Sequence, residues 1–141
     1  MNPTAVNGIR KILEETYEQH GFQVPDLVVS YTAQILADKI DKNPWQPEPS
    51  YAERYLTLKT VSEALDLGNT CWFTRAVFPE LGQRHGISPS YYVQLGQGCY
   101  ERVLAQNPHP AITIINQHFE WTAELAHTAV RYYGKFRSMW D

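Results

Sequence analysis

The sequence predicts a single all-α domain, and three observations lead to that prediction. Apolar residues recur at spacings of three and four along most of the chain, as they do on one face of a helix. No segment alternates polar and apolar residues between hairpin turns, which is the pattern of a half-buried strand. The 141 residues suffice for one core, and the proline-rich connection at 43–50 is too short to separate two domains.

Charge and cysteine content exclude several classes of protein. The formal net charge is −3 with no block of like charge, whereas nucleic-acid binding normally needs a basic face. No apolar run approaches about 18 residues, and no basic-then-apolar leader opens the chain, so neither a membrane span nor export is expected. Two cysteines, Cys71 and Cys99, do not form a disulfide framework, and reduced thiols in a cytoplasm are the expectation.

Six helical segments are predicted, and proline and glycine mark their ends. The first begins at Asn2-Pro3, since asparagine can cap a helix and proline suits its first position, and it ends at Gly21. The second begins at Pro25-Asp26. It ends near Asn43, because Pro44 disfavours helical geometry in the residue before it.

The middle of the chain is predicted to hold one long helix and one broken helix. Ser50 to Glu53 reads as a capping box, which satisfies backbone donors at the start of the third helix. We expect this helix to end at Gly68-Asn69. Thr70 can then cap a fourth helix, which Pro79 breaks into two short pieces, about 70–78 and 79–85.

The fifth helix is predicted from a cap at Ser88 and Pro89 to a stop at Asn107. Gly96 and Gly98 lie inside it and weaken it by about 1 kcal/mol each relative to alanine. Glycines that weaken a helix in this way usually allow another part of the chain to approach it closely. We expect the backbone of another helix to lie against this one.

The last helix is predicted to run without a break from Pro110 almost to the C-terminus. Nearly thirty residues at 1.5 Å each make roughly 40 Å, longer than a small domain is wide, so its end should overhang the body. Basic residues accompany the aromatic ones there, and a homodimer or partner-protein surface is one hypothesis; a frayed terminus is the other. The expected interface residues are Tyr132, Tyr133, Phe136 and Trp140.

No catalytic or metal-binding pattern stands out, so a non-enzymatic protein is expected. There is no Cys-x-x-Cys, nucleophile elbow or phosphate-binding loop, and Glu14-Glu15 is typical of a solvated helix face. Cys71 is a candidate nucleophile near the start of the predicted fourth helix, but a structural role is favoured because it lacks a histidine partner. No two histidines lie three or four residues apart, which excludes a helical metal pair; they are His20, His85, His109, His118 and His127.

Two stretches carry a resemblance to a known superfamily. The corner from Gly86 to Tyr92, followed by Leu95-Gly96, resembles the junction between the F and G helices of globins. The stretch from Leu58 to Thr70 is similar to the phycobiliprotein branch, the phycocyanin-like and allophycocyanin-like chains. The resemblance covers about residues 50 to 105, and it implies a single globin-like domain.

Both cofactor signatures of that superfamily depart from pattern. Phycobiliproteins attach bilin through a Cys-x-Arg-Asp sequence, and the matching positions here run from Ser50 to Glu53. Ser50 offers no thioether and Ala52 no charge, so covalent bilin is not expected, while a non-covalent tetrapyrrole stays open. Gly82 stands at the position of the haem-ligating histidine. His85, nearly one turn later, is the alternative iron ligand.

The leading hypothesis is a non-enzymatic globin-fold binding, assembly or regulatory protein of the phycobiliprotein-like branch, cytoplasmic and plausibly cyanobacterial. One alternative is a haem-binding sensor globin that uses His85, and another is a ligand-free all-α interaction domain. In the leading hypothesis a pocket lies between the third, fourth and fifth helices. Its candidate residues are Tyr51, Tyr55, Leu58, Trp72, Phe73, Val77, Leu81, His85, Tyr91 and Tyr92.

Overall fold

A computed structural model describes residues 3–39, 51–80 and 86–133. In these ranges the chain is helical with no strand, which confirms the all-α prediction. Seven helices are defined there, one more than expected. They are α1 (Pro3–Gln19), α2 (Asp26–Lys39), α3 (Tyr51–Leu56), α4 (Val61–Val77), α5 (Pro89–Gln106), α6 (Pro110–Gln117) and α7 (Phe119–Tyr133).

The turn between α1 and α2 ends the first helix as predicted. Gly21 has a φ of +72°, which a residue with a β-carbon rarely adopts. Its N–H bonds to the carbonyl of Glu18 at 3.1 Å, and the N–H of Phe22 bonds to that of Tyr17 at 2.8 Å. These two bonds form a Schellman motif, which satisfies the last carbonyls of α1. Pro25 then supplies the carbonyl on which α2 begins.

The predicted third helix is in fact two helices, and its predicted end is wrong. α3 stops at Leu56, and Thr60 caps α4 by accepting a bond from the N–H of Glu63 at 3.1 Å. The pair Thr60-x-x-Glu63 is itself a capping signal, here inside a stretch expected to be continuous helix. α4 then continues through Gly68-Asn69. Thr70 does not cap, because its hydroxyl donates to the carbonyl of Asp66 within the helix at 2.8 Å.

The break before Pro79 is confirmed. α4 ends at Val77, and the N–H of Phe78 closes its last turn on the carbonyl of Thr74 at 2.9 Å. Pro79 has no N–H to continue that ladder. Helical geometry resumes at 79–80, and the rest of the second short piece predicted at 79–85 lies outside the described residues. The serine predicted to cap the third helix, at position 50, also lies outside them.

The corner before α5 has the predicted position but not the predicted cap. Gly86 has a φ of +76°, and Ser88 is extended before Pro89, as a residue that precedes proline should be. The Ser88 hydroxyl lies 2.8 Å from that of Ser90 and makes no cap bond to the backbone. α5 ends at Gln106, and Asn107 follows it as the predicted stop.

The prediction of one continuous last helix is wrong. α6 ends at Gln117. The next residue, His118, caps it by donating its N–H to the carbonyl of Ile114 at 3.1 Å, and α7 begins at Phe119. The change of direction lets α6 pack on α2 and α5, while α7 packs on α1 and α4. The expected overhang from 134 onward lies outside the described residues.

The core lies where α4 and α5 cross, with α7 and the α1–α2 pair covering it. Complete burial of a large apolar or aromatic side chain contributes about 2–3 kcal/mol to the free energy of unfolding. Large side chains with under 2% exposure fill the interior; they are Leu13, Val28, Leu36, Leu67, Trp72, Phe73, Tyr92, Tyr100, Ile112, Ile115 and Phe119.

Candidate functional site

α4 and α5 pack closely where they cross. A β-carbon on Gly96 would stand 2.6 Å from Cε2 of Phe119 and 3.1 Å from the β-carbon of Cys71. On the other helix, a β-carbon on Gly68 would stand 2.7 Å from the Tyr100 ring. The expected gain from Gly96 was close approach of another backbone. The structure instead gives close approach of an aromatic side chain.

The predicted pocket residues that the structure describes belong to this core or its edge. Tyr51, Trp72, Phe73, Val77 and Tyr92 are buried, with no more than 5% exposure. The others reach the surface in part; they are Tyr55, Leu58 and Tyr91. Leu81 and His85 lie outside the described residues.

Three aromatic members of this set contact one another. The ring of Tyr92 meets those of Tyr51 and Tyr91 edge-on, with centroids 5.6 and 5.5 Å apart. Edge-to-face packing at this distance is favourable beyond the burial of area. These side chains, which were expected to surround a ligand, therefore pack against one another.

Two polar side chains of the core, Trp72 and Tyr51, have partners on other helices. Trp72 Nε1 donates to the Thr122 hydroxyl at 3.1 Å, and the Tyr51 hydroxyl lies 3.3 Å from that of Thr74. Pairing removes the cost of about 1–3 kcal/mol that an unmade buried bond carries. The first of these hydrogen bonds joins α4 to α7, and the second joins α3 to α4.

Asn69 joins three helices through its amide. Its Oδ1 accepts from the Tyr100 hydroxyl at 2.8 Å, and its Nδ2 donates to the Tyr31 hydroxyl at 3.2 Å. Burial raises the pKa of Tyr100 well above its ordinary value, so both phenols stay protonated at neutral pH. The network fixes α2, α4 and α5 relative to one another.

Cys71 does not have the surroundings of a nucleophile. It lies mid-helix in α4 with no exposure, because the helix start expected at Thr70 is not there. Burial raises the pKa of its thiol, and burial likewise raises the pKa of Cys99 to about 11. Thiolates are the reactive form, so neither of these buried thiols has the surroundings of a reactive cysteine. The favoured structural role of Cys71 agrees with this geometry.

The described histidines have local structural partners. His109 caps α6 by accepting from the N–H of Ile112 at 3.2 Å, and His127 donates from Nδ1 to the carbonyl of Ala76 at 2.7 Å. His20 bonds to the carbonyl of Thr16, and His118 lies edge-on to Trp121. Within the ranges that the structure covers, no group of three metal-ligating side chains comes together.

Arg75 is the most buried arginine among the described residues, at 8% exposure. Its Nη2 lies 3.3 Å from Glu120 Oε1 and 3.1 Å from Glu124 Oε1, both on α7. Two carboxylates one turn apart thus neutralise one guanidinium and join α4 to α7. Its Nε has no hydrogen-bond partner there.

A groove lies at the turn between α1 and α2. Its volume is about 570 Å³, which lies in the range of ligand-binding clefts. Three of its residues are carboxylates, and none is a cation. We call it the corner groove; it is lined by Glu14, Tyr17, Glu18, Phe22, Gln23, Val24, Pro25, Asp26 and Val29.

A smaller depression of about 240 Å³ lies where α3 passes to α4. Its two charged residues are Lys59 and Arg102, and the Arg102 guanidinium stacks over the Tyr55 ring at 4.4 Å. Leu58, a predicted pocket residue, lines this depression. Leu58 is half-buried there and packs against the edge of the core.

The predicted interface falls at the edge of the described structure. α7 ends at Tyr133, and the side chains of Tyr132 and Tyr133 are not described. Phe136 and Trp140 lie outside the described residues. On the described part of α7, Trp121 is 42% exposed. No helix in the described ranges is both long and apolar enough to cross a membrane.

No protein-family model, curated protein or solved structure matches this chain.

Sequence reasoning missed the corner groove. Glu14 and Glu18 lie one turn apart and Tyr17 shares their side of α1, a spacing visible in the sequence. That the following Phe22 folds back beside them depends on the Schellman turn. The exposed carboxylates alone are typical of any solvated helix.

Proposed function

We propose that this chain is a non-enzymatic assembly protein of the globin-like, phycobiliprotein-like branch, and that it associates with a second copy of itself through its C-terminal region. It carries no covalent bilin in this proposal. Its binding energy comes from its surface rather than from a ligand held between α4 and α5.

The packing around Gly96 is the observation that carries the proposal. The space between α4, α5 and α7, where a globin-like protein would hold a flat ligand, is occupied by Phe119 and Cys71. Even one added methyl group would meet the Phe119 ring. A ligand there would have to displace side chains that are fully buried, at a cost of several kcal/mol.

The C-terminal sequence supports the choice of surface. Beyond α7 come Lys135, Phe136, Arg137, Met139 and Trp140, a mixture of aromatic, flexible and cationic side chains. Aromatic residues, methionine and arginine are the types enriched at the centres of protein interfaces. Such a segment is suited to a partner protein of complementary shape and charge.

Sedimentation of the full chain over a range of concentrations tests the proposal. We expect a reversible dimer, and we expect Phe136→Glu to raise its Kd about tenfold or more, since a charge replaces an aromatic anchor. Leu56→Glu is the matched control, because Leu56 is 79% exposed on α3 and should leave the Kd unchanged. A chain that stays monomeric at every concentration contradicts the proposal.

The visible spectrum of protein purified from its own host separates the alternatives. We expect no visible band. A Soret band that vanishes in His85→Ala would establish the haem sensor instead, and a long-wavelength band would establish a bound bilin. A blank spectrum with no dimer would favour the ligand-free interaction domain.

A further inference from the structure

The corner groove has an apolar floor and an acidic rim. Tyr17 and Val29 form the floor and are buried, at 5% and 3% exposure. Phe22, at 36% exposure, stands at its side. An aromatic residue left partly open beside a buried floor offers apolar area to whatever enters.

The rim carries an excess of negative charge. Glu14, Glu18 and Asp26 are all exposed. Arg10 lies outside the lining and pairs with two of them, at 2.8 Å from Glu14 Oε1 and 4.0 Å from Asp26 Oδ2. Three carboxylates against one guanidinium leave two charges uncompensated, so the groove favours a cationic, aromatic occupant.

The chain itself contains a segment of that chemistry. Residues 134–141, GKFRSMWD, hold two cations, two aromatic rings and a methionine against a single aspartate. Arg131 at the end of α7 adds a third cation. Cationic and aromatic side chains thus alternate within these eight residues. The cations complement the acidic rim of the groove, and the aromatic rings complement its apolar floor.

We propose that residues 134–141 of one copy dock in the corner groove of a second copy. This inference rests on the proposed self-association, whose two contact surfaces would be the corner groove and residues 134–141. Because every copy carries both a groove and a segment, two reciprocal contacts close a symmetric dimer and leave neither surface free. The contact is partly ionic and exposed, so added salt weakens it.

Charge reversal across the contact tests the pairing in full-length protein. Glu18→Lys should raise the dimer Kd about fivefold, as should Arg137→Glu, which corresponds to the upper range for exposed ion pairs. The two changes together should restore the Kd to within about twofold of the original. Glu101→Lys, at an exposed position on α5, is the control and should change nothing. Losses that simply add, without rescue, overturn the proposal.

A spin label locates the segment independently. The native cysteines are buried, so a label on Ser138→Cys is selective. When labelled chain is mixed with isotope-enriched unlabelled chain, we expect broadening of amide signals at Phe22 and Val24 of the enriched copy. No broadening in the enriched copy, together with broadening in a chain that carries both the label and the isotope and is diluted into unenriched, unlabelled protein, would mean that the segment occupies its own groove. That result would overturn the second-copy assignment.

The dimer Kd values of these variants distinguish a wrong docking site from an absence of self-association. A dimer that is sensitive to Phe136→Glu but indifferent to Glu18→Lys and Phe22→Ala keeps the self-association and rejects the groove. A monomer at all concentrations rejects both. Thermal unfolding of Phe22→Ala shows whether any effect comes from lost folding, and the exposed Glu18→Lys variant stands as the second check.

Discussion

Gly96 on α5 lies directly against the ring of Phe119, the first residue of α7. The ring carbon Cε2 is 2.6 Å from the point where a β-carbon of residue 96 would stand, and Phe119 is only 1% exposed. The break in helix at His118 makes this contact, because it turns Phe119 inward at the start of α7. One glycine and one helix break thus close the interior between α4, α5 and α7.

Gly96→Ala should lower the free energy of unfolding by about 1–3 kcal/mol, because the new methyl group overpacks the Phe119 ring and outweighs the gain in helix propensity. Urea unfolding measures the change. Gly8→Ala is the matched control: nothing lies within 4 Å of its β-carbon, so it should raise stability by about 0.5–1 kcal/mol. A stabilised Gly96→Ala variant would contradict the tight crossing.

The thiols of Cys71 and Cys99 should resist modification in the folded chain. Burial holds the pKa of each above its ordinary value of 9.0, so little thiolate is present at pH 8. We expect a disulfide reagent to react roughly 100-fold more slowly with them than with a cysteine introduced by Ser62→Cys, at an exposed position of α4. The reagent should reach the native thiols only on local or global unfolding. Rapid reaction of native protein would show that the crossing opens readily.

Stability should fall at alkaline pH. The folded state raises the pKa of Cys99 to about 11, and burial also raises those of Cys71, Tyr17 and Tyr100. The folded chain therefore holds protons that the unfolded chain releases, so this contribution is fully present below about pH 9 and is lost as pH rises.

Denaturant midpoints measured from pH 7 to 11 provide the test. They should be flat at first and then decline with a slope that steepens above pH 10, where unfolded tyrosines ionise. The Cys71→Ala/Cys99→Ala double variant should decline less between pH 9 and 10. Equal slopes would mean that the thiols do not contribute.

Removal of the Asn69 amide should cost about 1–3 kcal/mol, because Asn69→Ala leaves the buried Tyr100 hydroxyl without its acceptor. Adding Tyr100→Phe should then cost less than the same change in the unmodified chain, since the orphaned hydroxyl is gone. A double-mutant cycle of unfolding free energies measures this coupling. Strictly additive costs would contradict the network.

Local signals in the sequence predicted much of the fold. Gly21 ends α1 and Pro79 follows the end of α4, because a positive φ and a missing N–H act within one turn of chain. The errors arose where local signals compete. Thr60-x-x-Glu63 started a helix inside a continuous apolar stripe, and Gly68 did not stop one, because Tyr100 fills the place of its missing side chain.

The sequence by itself determined that this chain is helical, where α1 and α5 end, and which chemistry its C-terminal segment carries. These depend on backbone geometry and residue type, which need no distant partner. Tertiary structure alone decided that Trp72 and Phe73 are core, that Cys71 is buried in mid-helix, and that α6 and α7 part at His118. It also formed the corner groove, because burial and concavity arise only when residues far apart in sequence meet.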